Sequence, residues 1–142
     1  MNSAQRFETH SDEETRALGR QLAPQLKGVV LLIGDLGAGK TTLAKGIVEG
    51  RGAASADEVS SPTFTLIHEH GDPVQVYHAD LYRLDTAEQV RRLGLEELFD
   101  KPALILIEWG ERFPEIIPPN HTEIYLTHSV DETRVIELRR IF

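Results

Sequence analysis

The sequence predicts an α/β fold in which parallel core strands carry antiparallel hairpin additions. Three observations predict it. Residues 29–33, Val-Val-Leu-Leu-Ile, form an unbroken aliphatic run of the kind that suits a strand buried on both faces. A glycine-rich loop and a helical pattern follow it at once, which is the start of a strand–loop–helix unit. A second apolar run at 103–107, Ala-Leu-Ile-Leu-Ile, ends at Glu108, and β-rich pairs of segments flank these two strands.

The first element is a helix. Ser11-Asp12-Glu13-Glu14 reads as a capping box, with Ser11 as cap and Glu14 reaching back to the Ser11 backbone N–H. Leu18, Leu22 and Leu26 supply its apolar face, the acidic first turn complements the helix dipole, and Pro24 disturbs the last turn. Gly28 hands over to the strand at 29–33. Beyond the helix at 43–49, Gly50-Arg51-Gly52 ends regular structure, and residues 53–61 read as a surface loop. Segments 63–69 and 74–79 predict a hairpin around His70-Gly71-Asp72-Pro73. Residues 86–99 predict one or two short helices broken at Gly94. Segments 123–128 and 134–140 predict a closing hairpin with its turn at 129–133.

Residues 34–42, Gly-Asp-Leu-Gly-Ala-Gly-Lys-Thr-Thr, complete the phosphate-binding pattern: Gly34, four free positions, then Gly39, Lys40 and Thr41. A glycine-rich turn before a helix can serve merely as a turn, but the full pattern with strand and helix flanks points to a nucleoside triphosphate. A helix start presents unpaired N–H groups and the positive end of the dipole to the phosphates. Asp35, Leu36, Gly37, Ala38 and Gly39 form the wrap, and the glycines let the backbone approach. Lys40 places a cation on the β and γ phosphates, the Thr41 hydroxyl takes Mg²⁺, and Thr42 meets the α-phosphate. The expected architecture is therefore a three-layer sandwich of the P-loop NTPase type.

Hydrolysis also needs a carboxylate for Mg²⁺ and a group to orient water. Glu108 follows the deeply buried type of strand and is assigned to the Walker B position. Asp80 directly follows residues 74–79, which show the alternation of a half-exposed strand, and is assigned as a second acidic contact. Either carboxylate is otherwise a solvated strand end. In Ser60-Ser61-Pro62-Thr63-Phe64, Thr63 is the best candidate for a hydroxyl sensing the γ-phosphate or Mg²⁺, with Ser61 behind it; the alternative is a plain loop-to-strand corner. Trp109 is expected at the rim of the site, packed there or shielding the nucleotide.

Composition narrows the function classes. With 142 residues the chain is expected to be one domain, 1–142, with little room for a lid or second domain. It has no cysteine, which excludes disulfides and thiolate metal sites and fits a reducing cytoplasm. No secretory pattern or membrane-spanning run is seen. The formal net charge of −8 argues against direct nucleic-acid binding through a broad basic face.

Four segments together resemble the TsaE family of bacterial ATPases: residues 34–42, Ser61-Pro62-Thr63-Phe64, His78-Ala79-Asp80-Leu81-Tyr82-Arg83, and Ile107-Glu108-Trp109-Gly110-Glu111-Arg112. The resemblance covers nearly the whole chain. It implies a cytoplasmic ATPase, using ATP and Mg²⁺, needed for threonylcarbamoyladenosine formation at adenosine 37 of tRNA. It further implies TsaB and TsaD as partners, contact with tRNA only through that complex, no membrane, and hydrolysis that resets the complex between turnovers. On this resemblance Lys40 and Thr41 act at the phosphates and metal, Asp80 and Glu108 form the acidic pair with Trp109 beside them, and Ser61 and Thr63 lie in a switch-like loop. The competing readings are a small-molecule or nucleotide kinase, for which no Arg-rich lid segment is seen, and a nucleotide-sensing module with negligible turnover. A GTPase is disfavoured because no Asn-Lys-x-Asp segment occurs.

Overall fold

A computed structural model describes residues 3–35, 37–53 and 66–142. The expectations for Leu36, Ser61 and Thr63 lie outside the described residues.

One seven-stranded sheet organises the chain, built from β1 (Ser3–Thr9), β2 (Val29–Ile33), β3 (Ile67–His70), β4 (Val76–Asp80), β5 (Leu104–Glu108), β6 (His121–His128) and β7 (Arg134–Ile141). Its order is β1-β7-β6-β2-β5-β4-β3. β4, β5, β2 and β6 run parallel at the centre, while β3, β7 and β1 are added antiparallel. The two expected hairpins are present, β3–β4 and β6–β7.

Helices α1 (Asp12–Leu22) and α2 (Lys40–Gly50) cover one face of the sheet. Their apolar residues Leu18, Leu22, Leu43 and Ile47 pack with Val30, Leu32, Leu104, Leu106, Ile136 and Leu138 of the strands. The two helices approach very closely at two glycines. A Cβ on Gly46 would sit 2.0 Å from the Arg16 carbonyl oxygen, and one on Gly19 would sit 2.5 Å from that of Leu43. On the other face, α3 (Ala87–Arg92) and the 3-10 turn Leu95–Leu98 pack Val90 and Leu95 against Leu31, Ile105 and Ile107. Gly94, at φ +79°, makes the expected break between them. Thr86 caps α3, and Gln89 reciprocates in a full capping box.

Three expectations change. Ser3–Thr9 forms an edge strand that no periodicity announces, held in register against β7. Ser11 caps α1 by accepting from the Glu14 N–H, but the Glu14 carboxylate accepts from the His10 N–H rather than from that of Ser11. β4 is buried along its whole length instead of alternating, because β3 and β5 flank it and both faces of the sheet are covered. Asp80 is therefore a buried strand end, not a half-exposed one. Pro24 falls in the 3-10 turn Ala23–Gln25 that closes α1. Among the described residues, no helix is long and apolar enough to cross a membrane.

Candidate functional site: a glycine-rich loop facing two strand-end carboxylates

The site follows from strand periodicity. Side chains two apart on a strand share a face. Leu104 and Leu106 face α1 and α2, so Glu108 does too; Val76 likewise brings His78 and Asp80 to that face. Asp80 and Glu108 are directly paired across β4 and β5, and Glu108 pairs with Leu32 of β2, one residue before Ile33 ends the strand that leads into the loop. Both carboxylates thus stand at carboxyl ends of parallel strands, where ligands of open α/β sheets bind.

The loop between β2 and α2 is shaped for close approach. Gly37 and Gly39 have φ of +83° and +104°, a region that side chains with a Cβ rarely occupy. A Cβ at Gly34 would lie 2.6 Å from the Leu126 carbonyl oxygen, so only glycine lets β6 press against the loop. Lys40 opens α2 and is buried; its Nζ donates to the Gly34 carbonyl at 2.7 Å. The lysine therefore curls back over its own loop.

Glu108 and Asp80 are held differently. His78 is fully buried, and its Nε2 lies 2.6 Å from Glu108 Oε2. Among the described residues His78 Nδ1 has no hydrogen-bond partner, so the ring proton is placed on Nε2, where the carboxylate accepts it. That leaves Oε1 as the oxygen of Glu108 not committed to the histidine. Asp80 Oδ1 accepts the Tyr82 backbone N–H at 2.9 Å. The strand-end loops are tied together as well: the Leu81 N–H donates to the Glu108 carbonyl, and Arg112 Nη1 donates to the Tyr82 carbonyl at 2.9 Å.

Trp109 adopts φ +67°, a strained conformation for a bulky residue. Lys40 Nζ lies 3.9 Å from the centroid of its ring, and Tyr82 packs on it with centroids 5.1 Å apart. The indole is a cover over the lysine, which agrees with the rim position expected for it. Beside it, Glu111 is half-buried, and burial pushes its carboxyl pKa up from the ordinary value.

These groups line one cleft of about 440 Å³: Gly37, Gly39, Lys40, Thr41, Thr42, Asp80, Glu108 and Trp109, together with Tyr82, Asp12 and Arg134. A larger hollow of about 570 Å³ lies against Asp35, Ala38 and the β6–β7 turn, but it holds neither Lys40 nor either carboxylate, so the chemistry belongs to the first. The structure thus brings Lys40, Thr41, Thr42, Asp80, Glu108 and Trp109 together and leaves Asp35 and Ala38 on the far side of the loop. Sequence reasoning did not assign Asp12, Tyr82 or Arg134 to the site. Tyr82 sits in a segment that had been singled out; Arg134 and Asp12 carry no local signal and arrive through strand register.

Around Lys40 the cleft offers the Thr41 hydroxyl and the Asp80 and Glu108 carboxylates, all oxygen donors. No cluster of three or more His, Cys, Asp or Glu side chains fit to hold a metal by itself occurs among the described residues. Such a set fits Mg²⁺, which keeps several waters and is bound by one or two carboxylates together with substrate phosphates.

The profile of the threonylcarbamoyl adenosine biosynthesis protein TsaE family matches residues 9–136. The chain belongs to the TsaE family. It is 39% identical to the tRNA threonylcarbamoyladenosine biosynthesis protein TsaE of Bacillus subtilis over 134 residues, 92% of this chain and 82% of that protein. The TsaE of Nostoc sp. is 41% identical over 133 residues, covering 89% of this chain and 80% of the relative. The crystal structure of Bacillus subtilis YdiB superposes with a TM-score of 0.80 at 33% identity, spanning 100% of this chain and 88% of that one. The TsaE match spans both strand-end carboxylates and the loop and stops at Ile136, two residues past Arg134.

Proposed function

We propose that this TsaE-family chain is a P-loop ATPase, one three-layer domain that hydrolyses ATP to ADP and phosphate in the cytoplasm. We further propose that it does so as the cycling subunit of a complex with TsaB and TsaD, which modifies adenosine 37 of tRNA with a threonylcarbamoyl group. The observation that carries the reading is the convergence of Lys40, Thr41, Asp80 and Glu108 in one cleft, on one face, at the carboxyl ends of parallel strands. The acidic balance of the chain, −8 in formal charge, supports contact with tRNA through partners rather than directly.

In this reading the loop amides and Lys40 bind the phosphates, and Thr41 with Asp80 and Glu108 would hold Mg²⁺ or its waters. Mg²⁺ would supply neutralisation of the phosphate charge. Glu108, with Oε2 anchored by His78, orients the attacking water through Oε1. Water oxygen bonds to the γ-phosphorus, the bond to the β–γ bridging oxygen breaks, and the water proton passes through Glu108 to the products. Trp109 covers the lysine and limits access of bulk water to the phosphate end.

The test is reconstitution with TsaB and TsaD, measuring ATP hydrolysis and multiple-turnover tRNA modification. Stimulated hydrolysis that is lost in Glu108→Ala while ADP binding persists supports the reading. Absence of both complex formation and stimulation overturns it. Lys40→Ala should abolish nucleotide binding; unchanged affinity would remove the phosphate assignment.

A further inference from the structure

Arg134 is the cation in the cleft that the phosphate-loop pattern leaves unaccounted for. It opens β7 and shares a face with Ile136 and Leu138, so it points into the layer of α1 and α2 at the level of the loop. Although it is an arginine on a peripheral strand, it is only 7% exposed. Its Nη2 donates to Asp12 Oδ1 at 2.9 Å, while Nη1 is enclosed and has no hydrogen-bond partner among the described residues. Apart from Lys40, it is the only Lys or Arg lining the cleft among the described residues.

A structural ion pair is a poor account of this arrangement. The Asp12 side chain is 74% exposed, so the carboxylate is largely solvated and its hold on the guanidinium is weak. An enclosed N–H without an acceptor is a standing penalty that arginine, with its long stem, usually escapes by reaching water. A weakly tethered guanidinium with an unmet donor, lining a cleft built for anions, is instead poised for an acceptor that arrives from outside. Phosphate is the anion whose geometry its planar fork matches.

Sheet order says which phosphate. β5 and β4, which carry Glu108 and Asp80, lie on one side of β2; β6 and β7 lie on the other. If the carboxylates mark the end of the cleft where the terminal phosphate reacts, Arg134 marks the opposite end, toward the nucleoside. We propose that Arg134 is a nucleotide-binding residue whose guanidinium leaves Asp12 and contacts the α-phosphate of the bound nucleotide. This rests on the nucleotide reading given above.

The test is calorimetric titration of the full chain with ADP. Arg134→Gln should weaken binding about 10- to 100-fold, the scale of a lost charged hydrogen bond, and Arg134→Lys should fall between that variant and the parent. Asp12→Asn separates a ligand role from a structural one, because it breaks the same ion pair and leaves the cation in place. It should bind ADP at least as tightly as the parent. Parental affinity in Arg134→Gln overturns the proposal, and so does a loss in Asp12→Asn equal to that in Arg134→Gln. If Arg134→Gln fails to fold, Asp12→Asn decides alone: equal or tighter binding supports the proposal and weaker binding overturns it. Lys40→Ala serves as the separate control, since undiminished ADP binding there removes the nucleotide reading itself.

Discussion

His78 on β4 and Glu108 on β5 meet at 2.6 Å, Nε2 to Oε2, in the buried layer between the sheet and α2. The two are diagonal neighbours across a parallel pair, since His78 is in register with Leu106 and Glu108 with Asp80. The histidine presents one N–H to the carboxylate, and its Nδ1 meets no hydrogen-bond partner among the described residues; in the proposed reading it holds one carboxylate oxygen and fixes the direction of the other. Replacing it with Leu leaves an enclosed carboxylate oxygen without a donor, a cost of about 1–3 kcal/mol that a fall in melting temperature would register. In the reconstituted complex, kcat should fall at least about tenfold while KM for ATP is kept, because phosphate contacts are untouched. His78→Gln can restore an N–H donor and should recover part of kcat. Equal loss in both variants would assign the histidine to packing alone.

Lys40 and Trp109 give a second prediction. The lysine ammonium sits over the indole and also donates to Gly34, so in the proposed reading a bound nucleotide draws Nζ away from both. The cation–π contact given up is worth about 0.5–2 kcal/mol. Trp109 is the single tryptophan of the chain, and its fluorescence should change on adding ADP. Trp109→Ala should keep ADP binding within a few-fold, since it removes a competitor for the lysine together with a cover for the ligand. An emission spectrum indifferent to saturating ADP would place the indole outside the exchange.

Much of this was legible because the central strands are chemically extreme. Val29–Ile33 is aliphatic without interruption and so is Leu104-Ile105-Leu106-Ile107, and runs this short, flanked by turn signals, suit strands sheathed on both faces, so the loop and Glu108 were fixed relative to them. β4 was harder. Tyr77, His78 and Asp80 look half-polar in sequence, yet their burial is decided by β3 and β5 on either side, and His78 is satisfied by a carboxylate 30 residues away. β1 was invisible for a related reason: Ser-Ala-Gln-Arg-Phe-Glu-Thr has little alternation, and its strand exists through backbone pairing to β7 at the other end of the chain. Arg134 and Asp12 reach the cleft from positions 122 residues apart. The register of the β6–β7 hairpin places Arg134, the pairing of β1 with β7 (Thr9 opposite Arg134) brings the start of α1 and Asp12 beside it, and single-sequence patterning contains neither register.

The crossing of α1 and α2 predicts a site of high sensitivity away from the chemistry. Gly46 lies against the Arg16 carbonyl so closely that a methyl group would stand 2.0 Å from that oxygen. The obstacle is backbone on both sides, so relief requires the helices to part, and α2 carries Lys40 and Thr41 at its first turn. Gly46→Ala should destabilise the fold by about 1–3 kcal/mol or more despite the better helix propensity of alanine. A melting temperature equal to the parent's would show that the helices separate freely.

Glu111 supplies a pH-dependent prediction. Burial raises its carboxyl pKa above the ordinary 4.5, outweighing the nearby Lys40 and Arg112 charges that act to lower it, and its Oε1 is enclosed without a hydrogen-bond partner among the described residues. The folded state therefore favours the protonated acid more than the unfolded state does. Well below 4.5 both states are protonated and the group costs nothing. As pH rises through 4.5 and past the raised folded value, the folded protein must carry a poorly solvated charge, and stability falls until ionisation is complete. Glu111→Gln stays neutral throughout. Its melting temperature should exceed the parent's at pH 7–8 by roughly 1–3 °C, and the difference should close as the pH is lowered toward 4. A difference independent of pH would trace the effect to packing, and a lower melting temperature at pH 7 would mean that the carboxylate is held by the neighbouring cations after all.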